Sequence, residues 1–417
     1  MGFRSETATI TSETLAALVK QFLATERPRR LRLYEYYRGE QGVDKGRVAA
    51  GRPNNRLVSN YAKYITDVHT GYFLGQMPTC TFAGKRVQER MTRAMDRACL
   101  STLLFEAARD MSICGEGFLL TWLEQEGPRS ARLDPCGTFA ITCGIREETV
   151  AVVRLQTTGN GCAAGELYLP GACRDWTFDG WDVTLGALQQ LPLPVLPVAC
   201  FRNNGGGTGD FEPVCSLLDA YNVLLSGAMD DMQSVANAFL ALYGMQGTTR
   251  EDIDRANQSR VLSLAENGKA EFVVKNLSPD AIQLMQETLV RDLLSITMTP
   301  DLNDRAFSGN SSGVALEYKL WGIEQCRSAK ERGFHPGLLA LLEQYACSLT
   351  LLGREAAGPV QVHYHKNLPR DLTRLCENLQ TLSGILSRRT RLELLPFIPD
   401  AEEELRRLKA EAESCGD

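Results

Sequence analysis

A glycine-rich loop ahead of the most regular helical pattern in the sequence is the first candidate for chemistry. The segment RNNGGGTGDFEPV spans residues 202–214, and glycine-rich loops that precede a helix can cradle phosphate with backbone N–H groups. However, no Gly-Lys-Ser or Gly-Lys-Thr tripeptide follows the glycines, and Asp210 and Glu212 would repel an anion at the helix start. The pattern favours a flexible joint that leads into a long helix. The hinge residues of this joint would be Gly205, Gly206 and Gly207.

Serine and aspartate residues also cluster near residue 300. The segment SGNSSG at 308–313 lacks the GxSxG turn that exposes a nucleophilic serine, and no histidine accompanies it. Asp301 and Asp304 resemble a carboxylate pair, but Pro300 and Asn303 beside them are typical of a capped turn. The sequence contains no HExxH, DxDxDG or Ser-His-Asp pattern. We therefore predict no catalytic residue.

Potential metal ligands are scattered. The chain has thirteen cysteines without a CxxC pair, and Cys136 and Cys143 lack the spacing of a usual zinc site. His363 and His365 alternate on a predicted strand and can share a face, but no carboxylate or cysteine lies near them in sequence. We predict no metal and no cofactor, and we expect the cysteines to be reduced and mostly buried.

Positive charge is concentrated near the N-terminus of a chain whose net charge is −6. Residues 27–56 contain nine Lys and Arg against three Asp and Glu. Within them, RPRRLRLYEYYRGE at 27–40 interleaves Arg with Tyr, as some nucleic-acid contacts do. We favour a solvated helix face or an inter-subunit surface instead, because Glu35 and Glu40 can pair with the arginines locally.

The middle of the chain has the opposite bias. Residues 203–249 form a 47-residue stretch without Lys or Arg that carries several acidic side chains. A helix that grips nucleic acid would normally present Lys or Arg to the phosphates. This stretch therefore predicts weak adhesion to nucleic acid.

The sequence predicts an α+β chain. Residues 10–75 indicate helices around a basic loop, with Gly71 and Gly75 as stop positions, and about 85–114 indicate a further helical stretch that Gly115 ends. Short strands separated by Gly, Pro and Asn turns follow as far as about Arg202. No apolar run reaches the roughly 20 residues that span a bilayer, and the start lacks a secretory signal. We expect a soluble intracellular protein.

Two long helices are predicted around a small insertion. An apolar seam with alternating spacings of four and three predicts a helix from Pro213 to Tyr243. Turns and strand-like runs follow in 244–277, and Ser278, Pro279 and Asp280 predict the start of a second helix. A polar loop comes after Pro300, then a helix from about Val314 past Glu331, and a helical part from Pro369 to the end.

Four stretches, in order, resemble the siphophage-type portal proteins of tailed double-stranded DNA phages. They are YYRGEQG with PNNRLVSNYAKYITDVHTGYFLGQ, FRNNGGGTGDFEPVCSLLDAYNVLLS, TPDLNDRAFSGNSSGVALEYKLWGIE, and NLPRDL with GILSRRTRLELLPFIPDAEEEL. Together they extend over about residues 10–410, which makes the resemblance more specific than any single motif. It implies an elongated subunit that assembles as a ring, typically of twelve copies, at one capsid vertex.

The resemblance also implies a division of the chain. The implied parts are a wing at 1–212, stem helix 1 at 213–243, a clip at 244–277, stem helix 2 at 278–299, a tunnel loop at 300–313, a wing helix and return segment at 314–368, and a short helical crown at 369–417. In the stem, Asp219, Asp230 and Asp231 are predicted to face the channel and weaken adhesion to DNA. The tunnel-loop residues near DNA would be Asn303, Asp304, Arg305, Phe307, Ser308, Gly309 and Asn310, with Arg305 and Phe307 the nearest.

The implied function is a passive channel for DNA packaging and ejection. The implied partners are other copies of the chain, double-stranded DNA, the large terminase subunit, a head-completion or adaptor protein, and the scaffold and major capsid proteins, with no membrane. The expected location is the portal vertex of the virion after assembly in the host cytoplasm. Two alternatives stay open: another capsid-vertex adaptor or scaffold protein, and a nucleotide-dependent enzyme that uses the glycine-rich loop.

Overall fold

The chain divides into two compact units, Met1–Lys366 and Asn367–Asp417. The computed structural model describes residues 3–5, 9–44, 46, 53–159, 161–236, 239–243, 249, 251, 269–273, 279–302, 318–353, 358, 360–365, 379–395, 398 and 401–414. Both helices and strands occur, in agreement with the predicted α+β class. No helix within those ranges is long and apolar enough to cross a bilayer, and no disulfide joins two of their cysteines.

The helices of the first unit are α1 Ser12–Gln21, α2 Arg27–Arg38, α3 Tyr61–Leu74, α4 Lys85–Arg97, α5 Leu100–Cys114, α6 Cys215–Ala236, α7 Pro279–Ile296 and α8 Trp321–Leu351. A π-helical turn at Phe22–Glu26 joins α1 to α2, so the chain stays helical from Ser12 to Arg38. In the second unit, α9 is Arg388–Glu393 and α10 is Ala401–Ser414. Ser387 caps α9 by accepting a hydrogen bond from the Thr390 backbone N–H.

The strands are β1 Phe3–Ser5, β2 Thr79–Phe82, β3 Glu116–Glu124, β4 Gly127–Leu133, β5 Thr138–Cys143, β6 Glu148–Gly159, β7 Cys162–Leu169, β8 Ala172–Phe178, β9 Val183–Gln190, β10 Val198–Arg202, β11 Phe239–Tyr243, β12 Lys269–Val273 and β13 Val360–His363. The largest sheet has the order β1-β5-β6-β7-β8-β9, and a second has the order β10-β3-β4. Strand β1 pairs with β5 in parallel, and the remaining pairs of these two sheets are antiparallel. The predicted block of short strands up to Arg202 is confirmed.

The predicted helix over 213–243 is wrong at its C-terminal end. The helix α6 ends at Ala236, and β11 pairs antiparallel with β12, with Phe239 opposite Val273 and Tyr243 opposite Lys269. The apolar run FLALY at 239–243 fits a strand as well as a helix, and periodicity alone cannot separate the two. Pairing with a segment some thirty residues later decides the outcome. The predicted strand RVLSL lies outside the described residues.

The other predicted helix bounds differ in smaller ways. The stretch 85–114 is two helices, because Cys99 takes a left-handed conformation with φ of 51° and breaks it, while Gly115 ends α5 as predicted. Gly71 lies within α3, and the backbone N–H of Gly75 closes that helix on Gly71. The second long helix begins with Pro279 and Asp280 in its first turn, as predicted, but it ends at Ile296. The helix predicted from about Val314 is described from Trp321 and continues past Glu331.

Two buried clusters hold the sheets and helices of the first unit together. One packs Phe3, Phe22, Phe139 and Trp176 between α1 and the largest sheet. The other includes Met91, Phe201, Phe334 and Tyr345 and lies between α8, α4, α5 and the β10-β3-β4 sheet. Helix α8 crosses the β10 backbone so closely that a Cβ on Gly333 would lie 2.3 Å from the Arg202 carbonyl oxygen. Glycine is therefore required at this crossing.

A third cluster positions the two long helices. Leu33 and Tyr36 of α2, Ile65 of α3, Phe211 and Leu218 are buried together. Leu293 of α7 completes the same cluster, and α6 also packs along α7. The start of α6 and the end of α7 are thus fixed to α2, α3 and α5, and this junction is the candidate site.

Candidate functional site

The glycine-rich loop at 203–210 is packed against the end of α5. A Cβ on Gly115 would lie 2.0 Å from the Gly207 carbonyl oxygen, and one on Gly209 would lie 2.1 Å from the Ile113 carbonyl oxygen. The backbone N–H of Asn203 donates to the Gly115 carbonyl, and that of Asp210 donates to the Ser112 carbonyl. Loop and helix end therefore meet backbone to backbone, and only glycine fits at these contacts.

The same loop uses its own amides and so offers no open phosphate cradle. The N–H groups of Gly206 and Thr208 donate to the Asn204 side-chain oxygen, and that of Gly207 donates to the Asn204 carbonyl. The N–H of Gly209 donates to the Glu212 carboxylate. A phosphate would need these donors and would face the Glu212 charge. A Cβ added to Gly205 would have no atom within 4 Å. Open space at this position does not show bending, and the predicted hinge at 205–207 therefore stays a prediction.

A buried ion pair connects this loop to α8. Lys330 Nζ lies 2.6 Å from an Asp210 carboxylate oxygen and 2.7 Å from both Ser112 Oγ and the Asn203 side-chain oxygen. Lys330 is only 2% exposed. Burial alone would raise the pKa of Asp210, but the Lys330 charge and the hydrogen bonds outweigh it and hold that pKa below its usual value. The sequence offered no signal for Lys330, which lies 120 residues from Asp210.

Two arginines of the basic run point into the protein. Arg29 makes a bidentate pair with Glu212, with both N···O distances 2.6 Å. Arg30 is 2% exposed, lies 2.6 Å from a Glu116 carboxylate oxygen and donates to the carbonyls of Pro135 and Thr138. The interpretation of 27–40 as a solvated or inter-subunit face is therefore wrong for these two residues. Glu26 is a local carboxylate partner of both arginines. Their shortest contacts are instead to Glu212 and Glu116, which lie 183 and 86 residues away.

Helix α6 presents polar groups to the N-terminal part of the first unit. Asp219 accepts hydrogen bonds of 2.7 and 2.8 Å from the Tyr36 hydroxyl, and Asp230 accepts from the backbone and side-chain N–H groups of Asn55, both at 2.7 Å. The buried Asn222 and Ser226 accept from the backbone N–H groups of residues 59 and 57. Asp219 keeps 42% of its side chain exposed. The predicted channel-facing role of Asp219, Asp230 and Asp231 depends on an assembly and stays a prediction.

The end of α7 is tied to α3 just before the predicted tunnel loop. His69 Nε2 lies 3.0 Å from both the Thr297 carbonyl oxygen and Thr299 Oγ1. The Tyr64 hydroxyl donates to the Pro300 carbonyl at 2.9 Å and accepts from the Leu302 N–H at 3.2 Å. The start of the loop is thereby anchored. Its remaining site residues, Asn303, Asp304, Arg305, Phe307, Ser308, Gly309 and Asn310, lie outside the described residues.

His69 is buried, and burial lowers the pKa of its ring. The Lys330 charge lowers this pKa further, whereas Asp210 and the hydrogen bond to Thr297 raise it. The resulting pKa lies below the usual value, which favours the neutral ring. The ring Nδ1 is buried and has no hydrogen-bond partner within the described ranges. A proton added at Nδ1 would therefore be buried without an acceptor, which is unfavourable.

The described ranges contain no group of His, Cys, Asp and Glu arranged to hold a metal ion. His363 is the last residue of β13, and His365 lies beyond the strand, with its Nε2 2.7 Å from Thr79 Oγ1. The junction is thus a structural site of ion pairs and hydrogen bonds.

We expect Lys330→Met to lower the free energy of unfolding by about 3–5 kcal/mol, because it leaves the Asp210 charge buried without its partner. Urea unfolding at fixed protein concentration measures the change. Lys63→Met is the matched control, since the Lys63–Asp67 pair is exposed and such pairs contribute only about 0.2–1 kcal/mol. A Lys330→Met loss no larger than that of the control would contradict the structural role of the buried pair.

Gly209→Ala should destabilise the protein by about 1–3 kcal/mol, because the added methyl group would overlap the Ile113 carbonyl oxygen. Gly205→Ala is the matched control, since its Cβ would meet open space, and we expect a change within about 0.5 kcal/mol. Thermal unfolding of both variants distinguishes a packed loop from a loose one. Equal, small effects would show that the loop is loose.

Acidification should destabilise the protein through His69. The unfolded chain binds a proton at the ordinary histidine pKa of about 6.5, whereas folded His69 has a lower pKa. The contribution of His69 to the free energy of unfolding is therefore fully present above pH 6.5, and it is lost as the pH falls from 6.5 toward the pKa of His69 in the folded protein. Melting temperatures at pH 7.5 and 5.5 should differ less in His69→Gln than in the unmodified chain. An unchanged difference in His69→Gln would refute this assignment.

Comparison with known proteins identifies the family. The model of the family described as phage portal protein, SPP1 Gp6-like, matches residues 18–415. The portal protein of Bacillus phage SPP1 is 22% identical to this chain over 421 aligned positions, which cover 90% of this chain and 82% of that protein. The predicted resemblance to phage portal proteins is confirmed. Since the family match covers almost the whole length, the chain belongs to the SPP1 Gp6-like family of phage portal proteins.

Proposed function

We infer that this portal protein assembles as a ring, typically of twelve copies, at one capsid vertex and that double-stranded DNA passes through the ring during packaging and ejection. The observation that carries this proposal is the family match over residues 18–415, which includes both long helices and the segments on either side of them. Portal proteins form a structural family. The proposed role is accordingly a passive conduit without catalytic activity.

Exposed apolar side chains on the two long helices support assembly. They are Val223, Met229 and Met232 on α6 and Leu284, Met285 and Ile296 on α7. Met232 is 66% exposed, although it belongs to the apolar seam predicted from the sequence. Between Leu218 and Gln233 of α6, the buried side chains are those of the polar Asn222 and Ser226. Part of the seam therefore remains for a neighbouring copy, and a head-to-tail ring buries such a surface through repeated identical contacts.

The inner surface of the proposed ring would carry acidic groups. Asp219, Asp230 and Asp231 lie on α6 within the stretch that lacks Lys and Arg. Each phosphate that Lys or Arg neutralises adds salt-dependent affinity for DNA, so a wall without these residues lets DNA slide. In the tunnel loop, Arg305 and Phe307 would approach the DNA most closely.

The remaining partners are assigned by position in the chain. Strand β12 lies within the proposed clip at 244–277 and pairs with β11, which directly precedes that range. The clip would bind the large terminase subunit and later a head-completion or adaptor protein. The wing and the crown would face the scaffold and major capsid proteins. The portal vertex of the virion is then the location, after assembly in the host cytoplasm.

The two alternatives make different demands on the chain. A nucleotide-dependent enzyme would need free amides in the glycine-rich loop, but the N–H groups of residues 206–209 donate within the loop or to Glu212. Another vertex adaptor or scaffold protein would not need a channel. Negative-stain electron microscopy of the purified full chain tests all three, because only the portal proposal requires rings with a central hole.

We expect such rings, and we expect Met232→Asp with Met285→Asp to shift the protein toward smaller species, because each change places a charge in the proposed contact between copies. Size-exclusion chromatography with light scattering measures the shift. Ile145→Asp is the control, since Ile145 is 97% exposed and lies outside the two long helices. A stable monomer with nucleotide-stimulated turnover would overturn the proposed function.

A further inference from the structure

One face of α4 carries a row of arginines. Arg86, Arg90, Arg93 and Arg97 follow each other at spacings of four, three and four, which at 3.6 residues per turn places them within an arc of roughly 60°. The row extends about 16 Å along the helix at 1.5 Å per residue. Arg86, Arg93 and Arg97 are exposed and Arg90 is half-buried, whereas Val87 and Met91 cover the opposite, buried side. The four guanidinium groups therefore share one solvent-facing strip.

A fifth arginine joins the strip from another element. Arg129 of β4 donates through Nη1 to the Arg97 carbonyl at the end of α4. Arg90, Arg93, Arg97 and Arg129 line one pocket of about 220 Å³, together with one carboxylate, that of Glu126. The strip at 86–97 together with Arg129 is here called the arginine face. It combines two elements that are distant in sequence, so the fold and not the helix alone creates it.

The charges of the arginine face are mostly unsatisfied. Arg93 is 77% exposed and approaches Glu89 only to 3.9 Å, and Arg129 approaches Glu124 to 3.4 Å. Within the described ranges, the guanidinium groups of Arg86, Arg90 and Arg97 have no ion pair or hydrogen bond. Like charges at i and i+4 destabilise a helix by about 0.2–0.5 kcal/mol per pair. An anionic ligand would offset this repulsion.

The inward-facing cations of the same unit, in contrast, each have a carboxylate partner at close range. Arg29, Arg30 and Lys330 each contact a carboxylate at 2.6 Å. The folded protein thus satisfies its structural cations internally and leaves the arginine face open. An unpaired row of this kind is the usual footprint of a polyanion.

We propose that the arginine face binds the phosphate backbone of double-stranded DNA without regard to sequence, at a surface separate from the channel. A duplex carries one phosphate per 3.4 Å of its axis in each strand, so a straight row of about 16 Å is long enough to contact more than one phosphate. The planar guanidinium group binds phosphate through two parallel hydrogen bonds. A small anion would occupy only one or two arginines, so an extended polyanion fits the whole row better.

Helix α4 belongs to a different buried cluster from the ends of the two proposed stem helices. Helix α4 packs on α5, β2, β4 and α8, while the start of α6 and the end of α7 pack with α2 and α3 in another cluster. The proposal goes beyond the conduit function, in which DNA contacts only the stem and the tunnel loop. It depends on membership of a DNA-handling family and not on ring formation.

Covalently closed circular duplex DNA is the suitable probe, because it cannot thread through a preassembled ring. Binding of the full chain to a relaxed circle is measured by filter retention from 50 to 200 mM salt. The slope of log K against log salt should fall in magnitude by about 2.7 in the variant Arg90→Gln/Arg93→Gln/Arg97→Gln, which is about 0.9 for each of three phosphate contacts. The affinity should fall together with the slope.

The matched control removes three cations that are exposed but lie near a carboxylate. Arg38→Gln/Lys63→Gln/Arg407→Gln changes the net charge equally and should leave the slope unchanged. If circular dichroism shows that the first variant is misfolded, Arg86→Gln/Arg93→Gln replaces two exposed residues and should lower the magnitude of the slope by about 1.8. Unchanged slopes in the folded variants overturn the proposal.

A second ligand separates DNA from acidic protein partners. Poly-glutamate of matched charge should compete weakly for the arginine face, because its single carboxylates are not spaced along a rigid duplex. If poly-glutamate binds and the closed circle does not, the face is a protein-docking surface and the DNA proposal is wrong. Absence of rings would refute the conduit function but leave this measurement valid, so the two failures are distinguishable.

Discussion

The Lys330–Asp210 ion pair is the interaction on which the junction of the first unit depends. A buried charge is costly unless it is paired and hydrogen-bonded, and here one ammonium group contacts the start of the α6 segment, the end of α5 and the end of β10. Since Lys330 belongs to α8, the pair fixes four elements at one point. The neighbouring Arg29–Glu212 pair adds α2 to the same junction. Loss of the Lys330 or the Asp210 charge would leave the other charge buried without a partner, in a place where water cannot replace it.

This arrangement changes the physical meaning of the glycine-rich loop. Glycines before a long helix usually indicate conformational freedom of the backbone. Gly209 in this loop and Gly115 at the end of α5 are instead required because the two backbone segments are in contact there. The anchored ends, Asn203 and Asp210, restrict any motion to the few residues between Asn204 and Gly207. Motion of α6 relative to the sheets would require breaking the buried pair.

The sequence was sufficient for local features and for the family. The strand-rich block, the helix stop at Gly115 and the start of the second long helix at Pro279 follow from periodicity and capping rules, which act over a few residues. The end of α6 at Ala236 does not, because the FLALY strand forms only by pairing with β12. Likewise, Lys330 and the inward direction of Arg30 depend on partners 86 to 120 residues away. Long-range pairing of charges leaves no periodic trace, so only the fold reveals which cations are structural.

Sorting the cations by their partners gives the charge distribution a physical basis. Those at the junction are buried and paired, the long helix α6 has none, and the arginine face on α4 is exposed and mostly unpaired. A conduit needs weak adhesion where DNA moves, since every neutralised phosphate adds a salt-dependent barrier to sliding. The same electrostatics allows tight contact only where DNA can remain in place. The absence of Lys and Arg from α6 and the proposed DNA contact on α4 therefore suit a chain that both contacts DNA and lets DNA pass.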